Sequence, residues 1–129
     1  MKAMFIHSLL VGVGGFLGAL LRYGTSVFAL RHFPSATFPW ATFSVNLVGC
    51  LLIGLVAGFA ESKAPVSSEL RVFLMVGVLG GFTTFSAFGF ATFAMLRSGA
   101  YFPAAANVGL QIVFGVLLVW AGYATAKTL

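Results

Sequence analysis

Phe85 and Phe88 stand three residues apart in the run TTFSAF, beside the hydroxyls of Thr83, Thr84 and Ser86. On a helix that spacing leaves the two rings about 60° apart, on one face. An aromatic ring carries a negative face and a positive edge. Rings presented edge-on therefore attract an anion without a formal charge, and Thr84 and Ser86 add hydrogen-bond donors. Packing or lipid contact is the competing role for a Phe pair in an apolar run. Asn46, Asn107 and Gln111 also fall in apolar segments. An amide there is unfavourable unless it finds a partner or water. Interhelical bonding and the lining of a polar path both meet that need. Arg22 lies toward one end of its segment. Its long stem can carry the charge to the interface or to a salt link, or the charge can draw anions inward.

Other chemistries lack their residues. Both carboxylates, Glu61 and Glu69, sit in or beside one polar loop. A proton-coupled exporter needs a titratable group inside the membrane. Acidic rings of the kind that line many cation channels are missing as well. The sequence offers no cluster of metal-binding side chains, no nucleophile–base pair and no nucleotide loop, so no enzyme is expected. The lone Cys50 reads as a small buried residue.

The elements that must position these groups are membrane helices. Of 129 residues, 60% are hydrophobic and only 7% charged, too few charges to cover a soluble domain. The expectation is an all-α integral membrane protein, with residues 1–129 forming a single transmembrane domain. The net charge of +5 suits loop cations near lipid headgroups better than nucleic acid. A bilayer core of about 30 Å takes about 20 helical residues. Four segments qualify, roughly 4–30, 40–60, 70–96 and 102–126. The first is too long for the core of a cleavable signal. Pro34 and Pro39 punctuate the first link, ESKAPVSSELR forms the second and RSGAYFP the third. Trp40, Trp120, Tyr101 and Tyr123 read as interfacial anchors, and His7 and His32 as solvated span ends.

The third segment would run about 40 Å as one straight helix, longer than the hydrocarbon core. GGFTT, residues 80–84, is the place for a break near its middle. Non-helical backbone at that depth must be buried in protein or line a wet cavity, and its freed carbonyls can coordinate a cation. Small-residue rows supply close helix packing. They are Ser8, Gly12, Gly15, Ala19, Arg22 and Ser26 in the first span, Thr42 to Gly58 at four-residue intervals in the second, and Asn107, Gln111, Gly115 and Gly122 in the fourth.

Four spans put both termini on one side, with Lys2, Lys63, Arg71 and Lys127. Arg31 and Arg97 lie on the other, with Arg22 a few turns inward. This bias is too slight to fix one orientation, which predicts dual topology. Four helices leave little room for an internal route, so a route between two copies is expected, and two-fold pairing is the commonest closed symmetry.

GGFLGALLRY, NLVGC and GGFTTFSAF together resemble the Fluc, or CrcB-type, fluoride channels, in order and spacing over essentially the whole chain. The resemblance implies an antiparallel dual-topology homodimer in a prokaryotic inner (plasma) membrane, multi-pass. It would let fluoride leave the cytoplasm passively, excluding chloride and lowering fluoride toxicity. By motif position, Asn46, Phe85, Phe88 and Ser86 would line the fluoride pathway, joined by Thr84 and by Asn107 and Gln111, the last two standing where relatives show Tyr and Ser. Arg22 would sit near a vestibule. A structural Na⁺ at the dimer interface would take the backbone carbonyls of Gly80 and Thr83. Two departures stand out: Ala87 replaces a hydroxyl residue common in the family, and the Glu found after the second Phe in many members is missing. The alternatives are a small dual-topology multidrug-type exporter, whose membrane Glu this chain lacks, and a non-transporting membrane scaffold.

Overall fold

A computed structural model describes residues 1–62 and 66–128, all helices and short links. Lys63, one of the loop cations counted above, lies outside the described residues. Helix α1 spans Lys2–His32 and α2 spans Trp40–Ala60. The third crossing is composite. It starts as α3 (Ser68–Arg71), widens into a π-helix (Val72–Leu79), closes as α4 (Gly80–Phe82) and resumes as α5 (Phe85–Arg97). Helix α6 spans Tyr101–Thr128. The four crossings, Lys2–His32, Trp40–Ala60, Ser68–Arg97 and Tyr101–Thr128, are each long and apolar enough to span a membrane. They start and stop within about two residues of the expected segments, a difference no larger than ordinary fraying.

Local chemistry explains the ends. Pro39 precedes α2, where its missing N–H is not needed. Ser67 caps α3 by accepting from the Leu70 N–H at 3.2 Å. Helix α5 stops in a Schellman turn: the Gly99 N–H donates to Leu96 O at 3.1 Å and the Ala100 N–H to Met95 O at 2.8 Å. Gly99 sits there at φ +79°, which a side chain would strain.

Packing makes two intimate pairs. Helix α2 lies along α6, and α1 lies along the π-helix and α4. Both pairs close on glycine. A Cβ on Gly14 would come within 2.8 Å of Phe73 O in the π-helix, and one on Gly18 would overlap the Val78 carbonyl. Gly54 and Gly58 meet α6 backbone at Val119 and Tyr123 in the same way. The expected row in α1 needs correcting. Gly14 and Gly18 are buried and Gly15 is half-buried, its backbone lying so close to Gly81 that a Cβ on Gly81 would come within 2.9 Å of Gly15 Cα, whereas Gly12 faces open space. Both rows have helical spacing, so periodicity alone did not tell which glycines face protein. Gly18→Leu is expected to destabilise the fold by about 1–3 kcal/mol or more, because backbone cannot yield as a side chain does. Gly12→Leu, facing open space, should leave the thermal midpoint in detergent unchanged.

At one end of the bundle the Glu61 carboxylate accepts from the Tyr123 hydroxyl and pairs with Lys127 Nζ at 3.2 Å, joining the ends of α2 and α6. The Tyr123 hydrogen bond, then Lys127, hold the Glu61 carboxyl below its ordinary range. A depressed folded-state value means that this clasp stabilises the fold above the unfolded carboxyl's range and is lost as pH falls through the folded value. Thermal melts in detergent from neutral to acid pH should show a small acid-side loss that Glu61→Gln abolishes.

Candidate functional site

The break falls at Thr83 and Thr84, which are extended at φ −89°, ψ 155° and φ −155°, ψ 123°. The Thr83 N–H still closes α4 on Leu79 O at 2.9 Å. The next N–H leaves the helix, for Thr84 donates to Asn46 Oδ1 of α2 at 3.1 Å. Ala87 N–H turns to Thr84 Oγ1 at 3.3 Å, so Thr84 caps α5 with its own side chain. Among the described residues no backbone N–H therefore reaches the carbonyls of Gly80 and Thr83. These hard oxygens suit a cation such as Na⁺. Across the break, the N–H groups of Phe85 and Ser86 open the first turn of α5, where the helix dipole is positive.

Asn46 begins a continuous chain of polar side chains. Its Nδ2 donates to Gln111 Oε1 at 2.8 Å, and Gln111 Nε2 donates to Asn107 Oδ1 at 2.8 Å. Asn107 Nδ2 donates to Thr92 Oγ1 at 2.9 Å, and the Thr92 hydroxyl donates to Phe88 O at 2.9 Å. The chain thus leaves the break at Thr84, crosses α2 and α6, and returns to α5 at the second of the paired rings. Asn107 is completely buried, while Asn46 and Gln111 are half-buried.

The Phe85 and Phe88 rings are neighbours, with centroids 5.4 Å apart and planes at 39°. Phe85 is 83% exposed on the single chain, and Phe88 is half-buried. Phe85 borders a cleft of about 300 Å³ together with Asn46, Cys50, Gly80, Thr83 and Thr84. A second cleft of about 350 Å³ opens on the other side of Thr84, lined by Arg22, Tyr23, Ser26 and Thr42. Thr84 is common to both. No carboxylate lines either cleft, and the one cation is Arg22. Ser86 shares a hydrogen bond of 2.8 Å with Thr84 Oγ1.

The fold therefore assembles residues distant in sequence. Asn46, Gly80, Thr83, Thr84 and Phe85 share one cleft, Phe88 adjoins it, Ser86 hangs on Thr84, and Gln111 and Asn107 join through the amide chain. Arg22 faces the neighbouring cleft rather than the rings. Thr92 is the member that sequence reasoning missed. Its signal was a hydroxyl four residues after Phe88, on the same helical face, within a span.

Comparison with known proteins agrees across the chain. A family model described as CrcB-like protein, Camphor Resistance (CrcB), matches residues 9–123. A protein of Methylobacillus flagellatus named fluoride-specific ion channel FluC is 44% identical over 119 residues, 92% of this chain and 93% of its own length. One of the same name from Hyphomonas neptunium is 46% identical over 120 residues, 92% and 94% of the two chains. A third, from Flavobacterium psychrophilum, is 40% identical over 129 residues, covering both chains entirely.

Proposed function

The chain belongs to the CrcB-like family, and from that membership we propose that it is a fluoride-selective channel giving passive export of fluoride from the cytoplasm. It is a multi-pass membrane channel and not an enzyme. The observation that carries the site assignment is Asn46. Its amide oxygen holds the freed Thr84 N–H at the helix break, and its amide nitrogen retains a hydrogen beyond the one given to Gln111.

Fluoride is small and strongly hydrated, so a path must replace its water with strong donors. The path we infer runs along Asn46, Thr84, Ser86 and Gln111, backed by Asn107, past the edges of Phe85 and Phe88. The opening turn of α5 adds two backbone N–H groups and the positive end of a helix dipole. Arg22, in the adjoining cleft, raises the local concentration of anions at a vestibule. No carboxylate lines either cleft to draw a cation along the path.

The working unit we propose is an antiparallel, dual-topology homodimer. Three observations support it: the nearly balanced loop cations, the open cleft beside Phe85, and the exposure of that ring on the single chain. A second copy would close the cleft into a corridor. The carbonyls of Gly80 and Thr83 fit a structural Na⁺ there, since both lack backbone donors and Gly80 is exposed. Bound between two copies, the ion would neutralise the carbonyl ends of both broken helices. The bacterial origin of the relatives supports placement in a prokaryotic inner membrane.

The deciding experiment is fluoride-electrode efflux from liposomes holding the purified chain. Loss of trapped fluoride without any proton gradient is expected. Flux that appears only with a proton gradient would instead indicate an exporter of the multidrug type. No flux in folded protein would leave a membrane scaffold.

A further inference from the structure

The amide chain has a direction, and backbone groups that cannot flip set it. At one end the Thr84 N–H is obligately a donor, so Asn46 must present its oxygen there and its nitrogen to Gln111. Gln111 then presents its nitrogen to Asn107, and Asn107 its nitrogen to Thr92. At the other end the Phe88 carbonyl is obligately an acceptor. The Thr92 hydroxyl donates its only hydrogen to it and accepts from Asn107.

One consequence concerns charge. All three amide oxygens receive a donor, whereas each amide nitrogen uses one hydrogen of two. The spare hydrogen on Asn107 is enclosed, because that residue is completely buried. Those on Asn46 and Gln111 belong to half-buried groups. The row has lone pairs turned inward on its neighbours and N–H groups left over.

We propose that Thr92 and Asn107 are positioning residues that anchor the far end of this amide chain, so that Gln111 keeps its N–H donors aimed at the fluoride path beside those of Asn46. The proposal rests on the fluoride-channel reading. Without the Thr92 hydroxyl, Asn107 loses its anchor and its amide can turn out of the row. Gln111 Nε2 then loses the acceptor that holds it, and its N–H groups lose their aim on the anion. Neither positioning residue needs to touch fluoride.

Thr92→Val, which keeps the shape and removes the hydroxyl, should lower fluoride efflux from liposomes about tenfold, in line with the weight of a hydrogen bond to a charged group. The fluoride-to-chloride flux ratio should fall with it, a change that mere loosening of the fold would not produce. Thr92→Ser restores the hydroxyl and should restore both rate and ratio. Asn107→Leu should match Thr92→Val, and the double variant should be no worse than the poorer single one, since both break the same chain. Wild-type rate and ratio in Thr92→Val or in Asn107→Leu would overturn the proposal, as would failure of Thr92→Ser to recover. Absence of fluoride flux in the wild-type chain would overturn the channel reading itself, a result distinguishable before any variant is compared.

Discussion

Phe88→Ile should lower fluoride efflux by at least about tenfold while the protein still elutes as the same oligomer, and Phe85→Ile should do likewise. Isoleucine fills much of the ring's space and keeps the surface apolar, so packing survives. It has no quadrupole, and the positive ring edge is what an anion would feel. The two rings stand 5.4 Å apart at 39°, so an ion moving past one soon meets the other. Losing either should open a gap in the donors that replace water. Tyrosine at the same positions keeps a ring edge and should retain more flux than isoleucine. Efflux at the wild-type rate in both isoleucine variants would remove the rings from the path, although the fold and family would stand.

Asn46→Leu should have the larger effect, abolishing measurable fluoride efflux and lowering the thermal midpoint as well. Among the described residues, Asn46 is the only side chain bonded both to the helix break and to the fourth crossing, at 3.1 Å to Thr84 N and 2.8 Å to Gln111 Oε1. Leucine leaves a half-buried N–H at the break and a half-buried carbonyl on Gln111 without partners. Each orphan costs about 1–3 kcal/mol. Two of them are a large part of the stability of a small domain. Asn46→Asp separates the roles: its oxygen can still accept from Thr84, but it offers no N–H and adds a negative charge. It should keep more of the stability while still blocking fluoride. An Asn46→Asp channel conducting fluoride at the wild-type rate would show that the amide hydrogens are not on the path.

Much of the site was legible before any fold was known, because the membrane makes polarity conspicuous. An amide in an apolar run is costly enough to demand a reason, so Asn46 and Gln111 stood out, and Asn107, nearer a span end, less so. The length of the third segment and its GGFTT run marked the break, since a helix needs both N–H and C=O partners at membrane depth. The glycine rows were less readable. Gly12 carries the same spacing signal as Gly14, Gly15 and Gly18, yet it alone of the four faces open space, while Gly14 and Gly18 lie buried and Gly15 packs on Gly81. Thr92 gave only a faint signal, because a lone hydroxyl in a helix usually bonds only its own backbone, and Thr92 does that too.

Composition and periodicity by themselves determined that the chain spans a membrane four times, where each crossing lies, and that no carboxylate enters it. These are properties of segments, read from hydropathy and the length of a helix. Only the tertiary structure decided which helices pair, which glycines make the contact, and that Thr84, Asn46, Gln111, Asn107, Thr92 and Phe88 join in one directed hydrogen-bond chain. Partners 65 and 38 positions apart in sequence meet only when α2, α6 and the broken third crossing pack. The direction of the chain then follows from two backbone groups that cannot exchange donor for acceptor.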